Sequence, residues 1–214
     1  MHPTPFRPRP TSGPRTRLAG PSRAASLAAA LLVACAMLLP GATAARAELL
    51  GQGPILLGGW SGDDKASGAS ANLGLVTAGW RWRWQGADFL DEFFAKAKTD
   101  FSWSVEAQVG GVFGDEDAFE AGLLPQVRFA PLGWETWAPY FEGGIGLEYT
   151  SLSNYGLGSQ VLFTDDAGVG ITFGGKDGPR WSVGYRFRHL SHAGIFGSHN
   201  DGLNAHFLAI TVEL

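Results

Sequence analysis

Thiols are nearly absent from this chain: Cys35 is the single cysteine among 214 residues. With no second cysteine there is no internal disulfide, and if the segment holding Cys35 is an export signal, the exported protein has no thiolate to offer a metal. Long apolar runs are missing as well. Beyond Glu48 no stretch reaches the roughly 18 consecutive apolar residues that a membrane-spanning helix needs. Acidic residues are absent from positions 1–47, which hold six of the sixteen basic side chains. Positions 48–214 therefore have ten basic against twenty acidic residues, a net charge of −10. Such a balance disfavours a nucleic-acid partner, whose phosphates need basic counterparts.

The first 47 residues have the layout of a secretory signal peptide. Arg7, Arg9, Arg15, Arg17 and Arg23 precede an apolar run from Leu27 to Leu39, which is too short to cross a bilayer as a helix. Ala45-Arg46-Ala47 fits a small-residue cleavage site leaving Glu48 first, with Ala42-Thr43-Ala44 as the second choice. Leu32-Val33-Ala34-Cys35 has the form of a lipidation box, but the apolar run continues through Met37-Leu38-Leu39, which favours ordinary cleavage. The expected organisation is a signal peptide over 1–47 and one domain over 48–214.

What that domain does have is alternation with period two, the signature of β-strands. Trp80, Trp82 and Trp84 alternate with Arg81 and Arg83; Phe101, Trp103, Val105, Ala107 and Val109 alternate with Ser102, Ser104, Glu106 and Gln108. The pattern recurs around Phe119–Phe129, Phe141–Tyr149, Trp181–Phe187 and Leu208–Leu214. It is weaker over Val161–Phe173, where Asp165 falls on the apolar parity, and a short strand near Pro54–Trp60 brings the count to eight. A soluble sandwich or lipocalin-like barrel also alternates. Here the apolar face is crowded with Trp and Phe near strand ends, and the polar face mixes Glu, Gln and Arg. Those are the girdles and filled interior of a small membrane barrel. The expectation is an all-β fold, an eight-stranded antiparallel transmembrane β-barrel of the outer membrane. Both ends of the barrel domain then lie on the periplasmic side. External loops are expected near Ser61–Ser70, Gly111–Asp117, Ser151–Ser159 and His192–Leu203. In the first internal turn Phe89, Leu90, Phe93 and Phe94 repeat at helical spacing, as a short helix covering the lower rim would.

Side chains that could carry chemistry gather at one place. His189 and Ser191 lie two apart and share a face of the seventh strand, within proton-transfer reach. Parity from Trp181, Val183, Tyr185 and Phe187 directs both towards lipid, and parity from Leu214, Val212, Ile210 and Leu208 directs Asn204 and His206 the same way. Two readings fit. Either the strands emerge from the membrane here and polar residues are ordinary, or Ser191 is a nucleophile, His189 its base and Asn204 the group orienting the imidazole. In the second, donors from His192-Ala193-Gly194 would hold the oxyanion. A metal site among His189, His192, His199 and His206 is the weaker option, because a spacing of three sends His189 and His192 to opposite faces. The inward Glu106, Glu120, Glu142, Arg128, Arg186 and Arg188 suit a lumen ion-pair network rather than a second active site.

Arg188-His189-Leu190-Ser191-His192-Ala193-Gly194-Ile195, followed by Asn200-Asp201-Gly202-Leu203-Asn204 and a last apolar strand, resembles the lipid A 3-O-deacylases, the PagL-type outer-membrane enzymes. The likeness is specific over Arg188–Leu214 and general in barrel layout upstream. It implies an outer-membrane esterase, without a metal or other cofactor, that removes the 3-O-linked acyl chain of lipid A in lipopolysaccharide. Ser191 would be the nucleophile, His189 the base, and Gly194 an oxyanion-hole donor. Two positions depart from the family pattern: His192 stands where the oxyanion-hole asparagine is found, and Asn204 where the acidic third member is found. Asp201 is a nearby acid that could approach from the loop. The alternative is a structural or adhesive barrel whose site has lapsed. Self-association into a homo-oligomer is compatible with either.

Overall fold

The computed structural model describes residues 48–62, 72–86, 93–94, 96–133, 136–152, 155–174, 178–196 and 200–214. The expected signal peptide, 1–47, lies outside them. Eight strands follow in chain order: β1 Leu49–Ser61, β2 Leu73–Gln85, β3 Thr99–Gly114, β4 Ala118–Pro131, β5 Trp137–Thr150, β6 Val161–Phe173, β7 Arg180–Ser191 and β8 Leu203–Glu213. Each pairs antiparallel with the next, and β8 returns to β1, so the sheet closes into a barrel. Closure removes the open edges that an isolated sheet would expose. It also makes the period-two pattern unambiguous: one parity fills the interior and the other forms the outer wall.

The outer wall has an aromatic band at each end. At the end where β1 begins and β8 finishes, Trp137, Phe173 and Trp181 lie side by side across β5, β6 and β7, all well exposed. On the same rim Trp84 stacks on Trp103 with ring centroids 4.4 Å apart. At the opposite end Phe119 and Tyr149 are in contact. These are the girdles expected of a wall surrounded by acyl chains. Of the helix expected in the first internal turn, Phe93 and Phe94 are helical, and Phe94 packs on Phe101, centroids 4.9 Å apart, and on Phe129. Phe89 and Leu90 lie outside the described residues.

The interior is more divided than the polar parity suggests. Its middle and lower parts hold a buried ion network in which Arg186 meets Glu106 at 2.8 Å and Glu142 at 2.7 Å. Arg81 bonds Glu106 and Glu142, Arg188 bonds Asp166 at 3.1 Å, and Arg83 bonds Glu213 at 2.6 Å. Towards the far end the filling becomes apolar, with Ile55, Leu75, Leu190 and Phe207 packing beneath Leu152 and Leu157 of the β5–β6 connection. That connection therefore stops the outer mouth, and the barrel is a packed core rather than a channel.

Strand β1 is longer than its sequence suggests, because Gly51, Gly53 and Gly59 occupy inward positions and erase the apolar alternation. Elsewhere paired glycines make room for a large interior side chain. Gly170 and Gly184 face each other across β6 and β7, and a Cβ on either would come within 2.5 Å of the Tyr140 hydroxyl.

Candidate active site

His189 and Ser191 sit on the outward parity of β7, at its far end, as the strand pattern requires. Across the sheet, β8 places Asn204 directly opposite His189. The His189 Nδ1 and Asn204 Oδ1 are 2.6 Å apart. An amide oxygen only accepts, so Nδ1 carries the proton and donates, leaving the Nε2 lone pair open on the other side of the ring. Ser191 is 9% exposed, opposite Phe163 of β6. Among the described residues no hydrogen bond joins its hydroxyl to the imidazole; such bonds often tighten only when substrate is bound.

The loop after β7 turns sharply. Ala193 and Gly194 both have positive φ, 51° and 73°, and Ile195 N–H donates to the His192 carbonyl at 2.9 Å. His192 is fully buried. Its Nδ1 accepts from Phe196 N–H at 3.4 Å, and its own backbone N–H donates to Asn200 Oδ1 at 3.0 Å. The ring thus braces the turn from within. No neighbour lies within 4 Å of where a Gly194 Cβ would be, so the backbone there is open to close approach.

Two residues matter here that the sequence alone did not assign. Gly202, φ 73°, precedes β8 with its bare Cα against the imidazole: a Cβ there would lie 2.6 Å from His189 Cε1 and 3.2 Å from Nε2. Its place in Asn200-Asp201-Gly202, within the segment that resembles the family, was its only signal. Asp165 is the second. Its position on the apolar parity of β6 weakened that strand as a sequence pattern, yet β6 and β7 pair Asp165 directly with His189. A polar row, Asp165–His189–Asn204, therefore crosses three strands at one level of the outer wall.

The remaining candidates fall elsewhere. Asp201 turns to the β5–β6 connection, where its N–H donates to Gly156 O at 3.2 Å and its carboxylate would meet any Gly156 side chain. His206 lies two residues further along β8, opposite Phe187, with its Nδ1 2.6 Å from the Tyr185 hydroxyl and its ring against Trp60. It belongs to an aromatic wall adjoining the site rather than to the polar row. Among the described residues no group of three or more His, Cys, Asp or Glu stands where it could hold a metal ion. His199 lies outside those residues.

The family model for lipid A 3-O-deacylase (PagL) matches residues 74–213, which run from β2 through β8 and include the whole polar row. This chain belongs to the lipid A 3-O-deacylase family. Membership places it among outer-membrane hydrolases, in keeping with the girdled eight-stranded wall. The crystal structure of the outer-membrane enzyme PagL is similar to it, with a TM-score of 0.59 at 22% identity, covering 74% of this chain and 97% of that one. The crystal structure of Neisserial surface protein A has a TM-score of 0.54 at 10% identity, covering 76% and 94%. At those identities the solved structures speak for the fold alone. No curated protein matches the sequence.

Proposed function

We propose that this barrel hydrolyses the 3-O-linked acyl ester of lipid A, with Ser191 as nucleophile and His189 as general base. The observation that carries the reading is the 2.6 Å contact between His189 Nδ1 and Asn204 Oδ1, which fixes the tautomer a base needs and leaves the Nε2 lone pair to accept a proton. The site lies on the outer wall near its far end, where an ester at the head of a lipid acyl chain would meet it, and the bond is cut without leaving the membrane.

In the first step Ser191 Oγ attacks the ester carbonyl carbon while its proton passes to His189 Nε2. The carbonyl oxygen becomes an oxyanion, held by backbone N–H groups of the Ala193-Gly194 turn. His192, braced inside the loop, serves that turn by shape. Collapse breaks the bond to the sugar oxygen, which takes the proton back from the imidazolium and leaves as the alcohol. Water then attacks the acyl-Ser191 ester with His189 again accepting the proton; the bond from the acyl carbon to Ser191 Oγ breaks, the imidazolium returns that proton to Oγ, and the fatty acid is released. No metal or other cofactor enters either half. Residues 1–47 would act as the export signal and 48–214 as the barrel that inserts.

Mass spectrometry of lipid A from cells making the protein or its Ser191→Ala form tests this. The intact protein should remove one ester-linked hydroxyacyl chain, and the variant none. Lipid A unchanged by both would refute the assignment and favour a structural barrel that keeps only the fold.

A further inference from the structure

A carboxylate on a lipid-facing strand needs a reason, because charge beside acyl chains is costly. The surroundings of Asp165 leave one candidate. Its cross-strand neighbour on β5 is Ile145, and its same-face neighbours along β6 are Phe163 and Ala167, none of which is polar. Its neighbour on β7 is His189. Directly opposed residues of an antiparallel pair bring their Cβ atoms to about 5 Å, which sets the Asp165 carboxylate beside the imidazole on the same face of the wall.

The site lacks something that this carboxylate has. His189 must become an imidazolium each time Ser191 gives up its proton, and Asn204, which holds Nδ1, is an amide: it orients the ring without offsetting the charge. Resting on the deacylase reading of this site, we propose that Asp165 is a positioning residue that supplies the missing negative charge from the opposite strand. The orienting and charge-offsetting roles are then split between two side chains flanking one imidazole, Asn204 on β8 and Asp165 on β6. Around that ring Ser191 and Phe187 share its strand face, Gly202 covers its Cε1 edge, and Asp165 is the one acidic group paired with it among the described residues.

The test is a charge-relocation cycle on the full-length protein in outer-membrane preparations. Asp165→Asn keeps the shape and removes the charge; kcat for lipid A deacylation should fall about 10- to 100-fold with KM changed less than about threefold. Moving the carboxylate onto Nδ1 by Asn204→Asp should restore the Asp165→Asn protein to within about fivefold of the original, while the same change beside an intact Asp165 should gain much less. A role in substrate contact or barrel packing alone would not be rescued from the far side of the ring. The heat-dependent gel shift checks that each barrel has assembled; if Asp165→Asn fails it, Asp165→Ser takes its place with the same expectations. A kcat within twofold of the original, a loss confined to KM, or no rescue by Asn204→Asp would each overturn the proposal. Ser191→Ala runs alongside. Cleavage by the original but not by Ser191→Ala, together with an unaffected Asp165→Asn, defeats this inference alone, whereas no cleavage by the original defeats the deacylase reading and this inference with it.

Discussion

Adding one methyl group at Gly202 should disable the site while leaving the barrel intact. Two effects act together. At φ 73° the backbone is left-handed, which costs an alanine about 1 kcal/mol relative to glycine. The larger effect is contact: the new Cβ would stand 2.6 Å from His189 Cε1, against an optimum of about 3.5–4.0 Å between carbon atoms. The ring must give way by about 1 Å, and it cannot do so while keeping the 2.6 Å bond to Asn204. Misplacing a reacting group by that much reduces the rate by about 100-fold, or about 2.7 kcal/mol of barrel-independent barrier height. The assay is the initial rate of lipid A deacylation by Gly202→Ala, with the gel shift on heating as the measure of folding. Gly58→Ala is the control, an outward position on β1 with nothing within 4 Å of its would-be Cβ, and it should behave as the unaltered protein. A Gly202→Ala rate within threefold of the original, in a properly assembled barrel, would show that the imidazole does not need the position seen here.

Asn204→Ala should lower kcat by on the order of tenfold with little change in KM, since it removes one hydrogen bond that selects the tautomer but leaves the base and nucleophile in place. Lipid A turnover under single-substrate conditions measures it. Inside the barrel, Glu106→Gln should destabilise by about 3 kcal/mol, because Arg81 and Arg186 would then be buried with one fewer charged partner. A lower temperature for the gel shift, with turnover below that temperature unaltered, is the expected result.

The fold was legible because a membrane barrel writes the same two-residue rule eight times, and errors in single strands do not accumulate. Where glycine replaces the inward side chain, as in β1 at Gly51, Gly53 and Gly59, the rule falls silent and the strand is underestimated. The division of the interior was also hidden, since Leu75 and Phe207 sit on inward parities that the outer-wall pattern led one to expect polar. His192 shows a different limit. A sequence position says that an imidazole follows Ser191, but only the folded loop shows that ring buried and holding Phe196 N–H.

Parity within a strand tells which way a side chain points, whereas register between strands tells what it meets, and the sequence gives the first without the second. Asp165 illustrates the difference. Taken along β6 it is a defect in an apolar face; taken across the sheet it is the end of a row that continues through His189 to Asn204. A single polar residue on a lipid-facing wall has no compensation, whereas three at one level, two of them hydrogen-bonded to each other, make one polar patch. The places where a strand breaks its own rule are therefore informative in proportion to how they align with breaks in its neighbours. In this barrel the breaks on β6, β7 and β8 coincide at one height, and that coincidence, more than any single residue in it, is what sets the proposed active site apart from strands that merely end in water.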